Sequence, residues 1–152
     1  MQGEEISIRL LGPADAAVLD RVADEVFDGP VRADWARAFL DAGNHLIVVA
    51  VAGETVVAMA TGVIYLHPDK PPQLWVNEIA TDPAWQRRGL ATRCLQRLLA
   101  GARTRGCAEA WLATETDNTP ARALYRAMAA EETEGIVVYG WQFAADGGPA
   151  AR

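Results

Sequence analysis

The stretch Asn77-Glu78-Ile79-Ala80-Thr81-Asp82-Pro83-Ala84-Trp85-Gln86-Arg87-Arg88-Gly89-Leu90-Ala91 gathers the residues with the most chemistry to offer. An apolar segment ends near Ala80, a short polar turn follows, and a glycine opens a long amphipathic segment. The unpaired N–H groups of a helix's first turn, with the positive end of its dipole, make a site for an anion. Gly89 would let backbone and ligand approach closely, small Ala91 keeps the next turn clear, and Arg87 and Arg88 add charge for a phosphate. No Gly-Lys-Ser/Thr follows, so this is not a Walker loop, and it is not a GxGxxG fingerprint. Read for packing alone, strand, turn, glycine and helix also make an ordinary α/β connection.

Hydropathy period predicts the elements that position this stretch. Ile6–Leu10 alternates as a short strand should, Pro13 opens a helix through Phe27, Asp28-Gly29-Pro30 breaks it, and a second helix covers Arg32 to Asp41. Two strands, His45–Ala52 and Thr55–Leu66, are joined at Gly53-Glu54 in a hairpin-like turn. The proline-rich segment from His67 to Pro72 is a loop, and Gln73–Ala80 reads as another strand. From Gly89 to Arg105, Leu90, Cys94, Leu95, Leu98 and Ala102 form the apolar face of the clearest helix, which Gly106 ends. Cys107–Thr114 is a strand, Asn118–Met128 a helix opened by an Asn cap and a proline, Gly135–Phe143 a last strand, and residues 144–152 a loose tail. The order β-α-α-β-β-β-α-β-α-β predicts an α/β (α+β) fold with a mixed central sheet and a locally parallel strand pair.

The 152 residues, 51% apolar and 22% charged, fit one domain spanning 1–152. A net charge of −6 argues against a general nucleic-acid binder, which needs a basic face. The apolar stretches are too short to span a bilayer, and the acidic start Met1-Gln2-Gly3-Glu4-Glu5 is unlike a signal peptide. Cys94 and Cys107, with no CxxC and no histidine cluster, read as small apolar residues in a reducing compartment, with no metal site. A cytoplasmic protein without membrane or nucleic-acid partners is expected. Charge is unevenly spread: residues 1–86 carry five basic and thirteen acidic side chains, whereas residues 87–126 carry eight arginines and three acids. That contrast suggests an anion site near 87–93 and a cation site elsewhere.

Gln86-Arg87-Arg88-Gly89-Leu90-Ala91 resembles the Gln/Arg-x-x-Gly-x-Gly/Ala signature of the GCN5-related N-acetyltransferases (GNAT). Thr81-Asp82-Pro83 stands in the context usual there, and Asn118-x-x-Ala121-x-x-Leu124-Tyr125 resembles that family's second cofactor segment, the likeness covering about residues 5–143. The resemblance implies a sheet whose central parallel strands splay apart around acetyl-CoA. The pantetheine arm of coenzyme A would run along Ile79, Ala80 and Thr81 like an extra strand. The pyrophosphate would sit beside Gln86 on the amides of Arg87, Arg88, Gly89, Leu90, Ala91 and Thr92. Asn118 would contact the pantetheine arm, and Tyr125 would lie near the thioester sulfur.

Acetyl transfer to an amine needs a neutral nucleophile, a polarised thioester carbonyl and a proton for the departing thiolate. Glu78 is the candidate general base, on a strand whose apolar neighbours would partly desolvate it. Strand alternation puts Asn77 on the opposite face, so only one of the pair points into the site. The alternative for Glu78 is an ion pair with an arginine of the later helix. The N–H of Ile79 or Ala80 would polarise the carbonyl, and Tyr125 would protonate the thiolate or hydrogen-bond to it, unless it simply packs on its helix. Trp75 is a candidate wall of the acceptor cleft, and Trp85 a candidate cover for the cofactor. His67 is a weaker acceptor contact, and His45 reads as structural.

Carboxylates at Asp28, Glu78, Glu115 and Asp117 would suit a polycationic small molecule such as an aminoglycoside or a polyamine. Capping of the next helix is the plainer explanation of Asp117 and Asn118. The later half resembles the small aminoglycoside 3-N-acetyltransferases in having Glu78 before the bulge of the cofactor strand and an acidic run, Glu115 to Asp117, before Pro120 to Tyr125. It departs from them in that Asn77-Glu78 stands where those enzymes tend to have an aromatic-Asp pair. The alternative acceptors are peptide N-termini or another small amine, which predict an open groove in place of an acid-lined cleft. A non-enzymatic acyl-CoA-binding sensor is the alternative from another class. The resemblance also implies a homodimer through late strands, for which Ile136-Val137-Val138-Tyr139 is the candidate segment.

Overall fold

The valine-rich runs on either side of Gly53-Glu54 build the centre of the sheet. The computed structural model describes residues 3–144, in two units, the first up to Ala113 and the second from Thr114. In the first unit β2 (His45–Ala52) and β3 (Thr55–Tyr65) pair antiparallel across a two-residue turn. β1 (Ile6–Leu10) lies outside β2, β4 (Gln73–Thr81) runs antiparallel to β3, and β5 (Glu109–Trp111) runs parallel to β4. β2 and β3 are buried on both faces for most of their length. That explains their continuous apolar sequence, where a half-buried strand would alternate.

One face carries the long helix, here called α2 (Leu90–Thr104), which buries Leu90, Cys94, Leu95, Leu98 and Ala102 and whose Gly101 lies against Leu10 and Leu46. The other face packs Ile47, Val49 and Met59 against Leu19, Val26 and Leu40, from the connection that holds a 3-10 segment (Pro13–Asp20) and α1 (Ala33–Asp41). The helix expected through Phe27 thus ends at Asp20. The cause is a competing backbone pairing: the Val56 amide donates to the Arg21 carbonyl and the Ala23 amide to the Val56 carbonyl, both at 2.9 Å, forming a parallel bridge between Val22 and Val56. β4 stops opposite Ala58, so Val22 occupies the side of β3 that β4 leaves open.

The register of β3 against β4 has one irregularity. Thr61 faces Glu78 and Gly62 faces Val76, which leaves Asn77 as an extra residue. The strands close in at this bulge: a Cβ on Gly62 would stand 2.8 Å from Leu74 Cδ1 and 2.9 Å from the Trp75 carbonyl oxygen. The parallel pairing of β4 with β5 covers only Gln73–Trp75 against Glu109–Trp111, shorter than the strand expected over Cys107–Thr114. From Val76 to Thr81 the outer edge of β4 has no strand neighbour among the described residues.

In the second unit α3 (Thr119–Ala127) begins at Asn118, whose Oδ1 accepts from the Ala121 amide at 3.3 Å. Arg126 holds Glu132 through two 2.7 Å bonds, and Arg122 pairs with Glu132 and Glu134. The strand expected over Gly135–Phe143 does not form among the described residues. A strand is defined by its ladder partner; beyond an isolated bridge at Phe143 this stretch forms no ladder there, and Ile136, Val138 and Tyr139 are 71%, 81% and 79% exposed. The expected tail falls, from residue 145 on, outside the described residues. Among the described residues no helix is long and apolar enough to cross a membrane.

Candidate functional site

The bulge decides which side chains meet. Residues directly opposite in an antiparallel pair point to the same face, so Glu78 shares a face with Thr61, and Trp75 with Val63, two residues along β3 from Thr61. Asn77 joins them: its Oδ1 accepts from the Trp75 indole N–H at 3.3 Å. The expectation that Asn77 points away from Glu78 is therefore corrected, because the extra residue breaks the alternation it relied on. The bulge also precedes Glu78 in the chain, where the sequence reading set Glu78 before it. Glu78 is exposed, so the desolvation expected from its apolar neighbours is absent.

Beside this cluster lies a cleft of about 210 Å³ lined by Leu19, Phe27, Trp35, Phe39, Ile47 and Thr61 among others. Its floor is the Ile47–Thr61 cross-strand pair, which places Glu78 one strand away on the same face. Its walls come from the connection between β1 and β2, where Gly29-Pro30 interrupts regular structure and lets Phe27 and Trp35 turn toward one space. The Arg32 guanidinium stacks 3.8 Å above the Trp35 ring and bonds both oxygens of Asp34 at 3.1 and 2.7 Å. That guanidinium holds the Asp34 carboxyl below its ordinary range, so the rim carries a neutralised ion pair. Asp28, between the cleft residues Phe27 and Gly29, is exposed. Trp75 packs against Trp111 with ring centres 4.2 Å apart and the ring planes tilted by 60°.

The turn that the sequence reading assigned to an anion leads directly into α2. Arg87 and Gly89 both adopt left-handed backbone, with φ of 63° and 74°, which curls the chain so that successive amides converge. Gly89 is the N-cap of α2, and no side chain caps that end. The amides of Leu90, Ala91 and Thr92 belong to the first turn, which has no intrahelical acceptor for them. The Leu90 side chain is buried in the core, so this residue can offer a ligand only its backbone. Gln86 donates from Nε2 to the Thr81 carbonyl at 3.4 Å, tying the loop to the end of β4. The Arg88 guanidinium lies 4.5 Å over the Trp85 ring, so Trp85 supports Arg88. Ile79, Ala80 and Thr81 are half-buried and sit on the open edge of β4.

In the second unit, Glu115 and Asp117 are exposed, and their carbonyls accept from the amides of Asn118 and Thr119 at 3.0 and 2.9 Å. Asn118 also donates from Nδ2 to Thr114 Oγ1 at 3.2 Å; both ends of its amide serve the start of α3. Tyr125 is half-buried, and burial pushes its phenol above the ordinary value of 10. It therefore keeps its proton throughout the neutral range. His67 sets its ring against Tyr65 at 5.0 Å, its Nε2 buried without a hydrogen-bond partner among the described residues. Sequence reasoning missed Asn77 and the cleft residues Phe27, Trp35 and Phe39; the aromatics around the Gly29-Pro30 break were the available signal for the latter.

The sequence matches the Acetyltransferase (GNAT) family over residues 16–129. It is 34% identical to the N-alpha-acetyltransferase RimI of Mycobacterium tuberculosis over 128 residues, covering 82% of this chain and 78% of that protein. It is also 34% identical to the uncharacterized protein ML0378 of Mycobacterium leprae over 132 residues, 84% of this chain but only 35% of that longer protein. Among solved structures, an aminoglycoside acetyltransferase from an uncultured soil metagenomic sample, in complex with sisomicin, superposes with a TM-score of 0.78. That likeness covers 91% of this chain and 97% of the other at 18% identity, a resemblance of fold. With the family match spanning most of its length, the chain belongs to the GNAT acetyltransferase family.

Proposed function

We propose that the chain transfers the acetyl group of acetyl-CoA, the donor its family uses, to the N-terminal amine of a peptide. The observation that carries this reading is the cleft of about 210 Å³ one strand from Glu78. Sites for drug-sized molecules start at roughly 300 Å³, so the cleft suits one side chain better than an aminoglycoside. Its lining is apolar and its rim charge paired, which offers a polycation little attraction. In a peptide, the α-amine and the first side chain branch from one carbon. A side chain in the cleft therefore leaves the amine beside Thr61 and Glu78. The amine of a lysine side chain, at the end of a four-carbon stem, gains nothing from such an arrangement. The likeness to an N-alpha-acetyltransferase at 34% identity supports the same acceptor.

Acetyl-CoA would bring a thioester carbonyl as the electrophile. Arg87, Arg88 and Gly89 to Thr92 would hold its pyrophosphate, a fit supported by the convergent amides at positive φ, and Ile79 to Thr81 would hold its extended arm on their open edge. Glu78 accepts the proton that the ammonium group must lose before its nitrogen can attack. By the family resemblance Tyr125, kept protonated by burial, would be the proton donor for a departing thiolate. Asn118 is committed to capping and retains only a supporting part.

A second acceptor class, a polycationic amine such as an aminoglycoside, draws on exposed carboxylates, Asp28 and Glu78 in the first unit and, taken separately, Glu115 and Asp117 in the second. Thiol release from acetyl-CoA across short peptides, polyamines and aminoglycosides separates the two. Turnover confined to peptides is the expected result, turnover confined to aminoglycosides overturns the peptide reading, and acetyl-CoA binding without turnover on any amine supports a sensor.

A further inference from the structure

We propose that Asn77 is an acceptor-binding residue, its side-chain amide held beside Glu78 as a hydrogen-bond donor for the carbonyl oxygen next to the amine that is acetylated. This rests on the reading of the acceptor as a peptide N-terminus, since that is the amine with a carbonyl two bonds along.

The orientation of the amide follows from the Trp75 indole alone, and a separate run of hydrogen bonds fixes Trp111, which packs against that indole. Glu109 is an acceptor when ionised, so the 3.1 Å bond from Gln73 uses the Gln73 nitrogen. The Gln73 oxygen then accepts from the Tyr65 hydroxyl at 2.6 Å, and that hydroxyl in turn accepts from the Trp111 indole. Trp111 packs against Trp75 at a tilt of 60°, with ring centres 4.2 Å apart. Trp75 donates to Asn77 at 3.3 Å. An indole N–H can only donate, so Asn77 must present its oxygen to Trp75. Its Nδ2, carrying two donors, is left without a partner among the described residues on an exposed side chain.

The bulge puts this free donor next to Glu78 on the face of the cleft. Neighbouring Cα atoms of a strand are about 3.8 Å apart, and the amine nitrogen and carbonyl oxygen of an N-terminal residue are about 3 Å apart. Adjacent Asn77 and Glu78 thus match the two polar atoms of that residue, with its side chain free to enter the cleft. Polyamines and simple alkylamines have no oxygen to offer there.

The test compares two amines that differ by the carboxamide group, leucine amide and 3-methylbutylamine, with kcat/KM of each variant expressed relative to wild type so that the amines' own basicities cancel. Asn77→Ala is expected to lower kcat/KM for leucine amide about 3- to 10-fold, leaving 3-methylbutylamine and the KM for acetyl-CoA unchanged. Asn77→Asp, which still accepts from Trp75 but has no donor, is expected to show the same split, and Trp75→Phe a smaller one. An equal loss on both amines in both Asn77 variants assigns Asn77 a merely structural part and overturns the proposal, as does no loss on either. Turnover of aminoglycosides with none of leucine amide or a short peptide overturns the underlying acceptor reading, and the proposal with it.

Discussion

Glu78 stands directly opposite Thr61 across β4 and β3, on the face that carries the apolar cleft. Were Asn77 paired in regular alternation, Glu78 would keep the parity of Leu74 and Val76 and turn into the core beneath α2. The irregular pairing at Asn77 therefore separates a buried, unpartnered carboxylate from one placed to take a proton.

Glu78→Gln is expected to lower kcat/KM for the amine by about 10²- to 10⁴-fold, the range for loss of a general base. Because the side chain is exposed, the variant should unfold at the same urea concentration as the parent. Thiol release beside a urea titration checks both parts; unchanged turnover removes Glu78 from the chemistry.

Gly62→Ala should destabilise the first unit by about 1–3 kcal/mol through overpacking. The new Cβ would meet Leu74 Cδ1 at 2.8 Å and the Trp75 carbonyl at 2.9 Å, and the backbone partner has no rotamer by which to escape. Urea denaturation reads the loss.

Replacing Gly89 by alanine keeps the open space around the position but forces a side chain into left-handed backbone at φ 74°. A stability loss of about 1 kcal/mol is expected, together with a raised KM for acetyl-CoA and an unchanged KM for the amine. A rise in the amine KM alone would contradict the assignment of this turn to the cofactor.

Burial pushes the Cys94 thiol up to about 12, so at pH 8 only about one molecule in 10⁴ carries the thiolate that reacts. Cys107, half-buried, is pushed up as well by the same cause. Ellman's reagent should leave Cys94 unlabelled in the folded protein and titrate both thiols in urea.

Arg126, and after it Arg122, hold the Glu132 carboxyl down from its ordinary 4.5 to about 2. A depressed carboxylate stabilises the folded arrangement above its ordinary value, and that contribution fades as pH falls from about 4.5 toward 2. The pairs are exposed, so salt should shrink the effect. Carboxyl NMR titration should find Glu132 low in the parent and closer to 4.5 in Arg126→Ala.

The elements that were legible in the sequence are those whose signal is local. β2 and α2 sit where their apolar patterns put them, α3 where its Asn cap and proline start it, and the turn into α2 where Gly89 announces it. What was not legible depends on two strands at once. Nothing in Asn77-Glu78 itself says that Thr61 and not Gly62 will face Glu78, because a bulge belongs to the pairing. Val22 likewise looks helical until β4 proves too short to cover Val56. The apolar alternation of Ile136 to Phe143 signals a strand, but among the described residues no ladder completes it.

The edge of β4 from Val76 to Ala80, which has no strand neighbour among the described residues, also has a cost for handling the protein. A row of unsatisfied amides and carbonyls is a template on which any extended chain can lay itself down, a second copy of this one included. A ligand with an extended, amide-bearing arm would block such growth by occupying the row first. Its stabilising effect would rise with the logarithm of its concentration above Kd, making coenzyme A as much a preservative of the folded protein in the tube as a reagent.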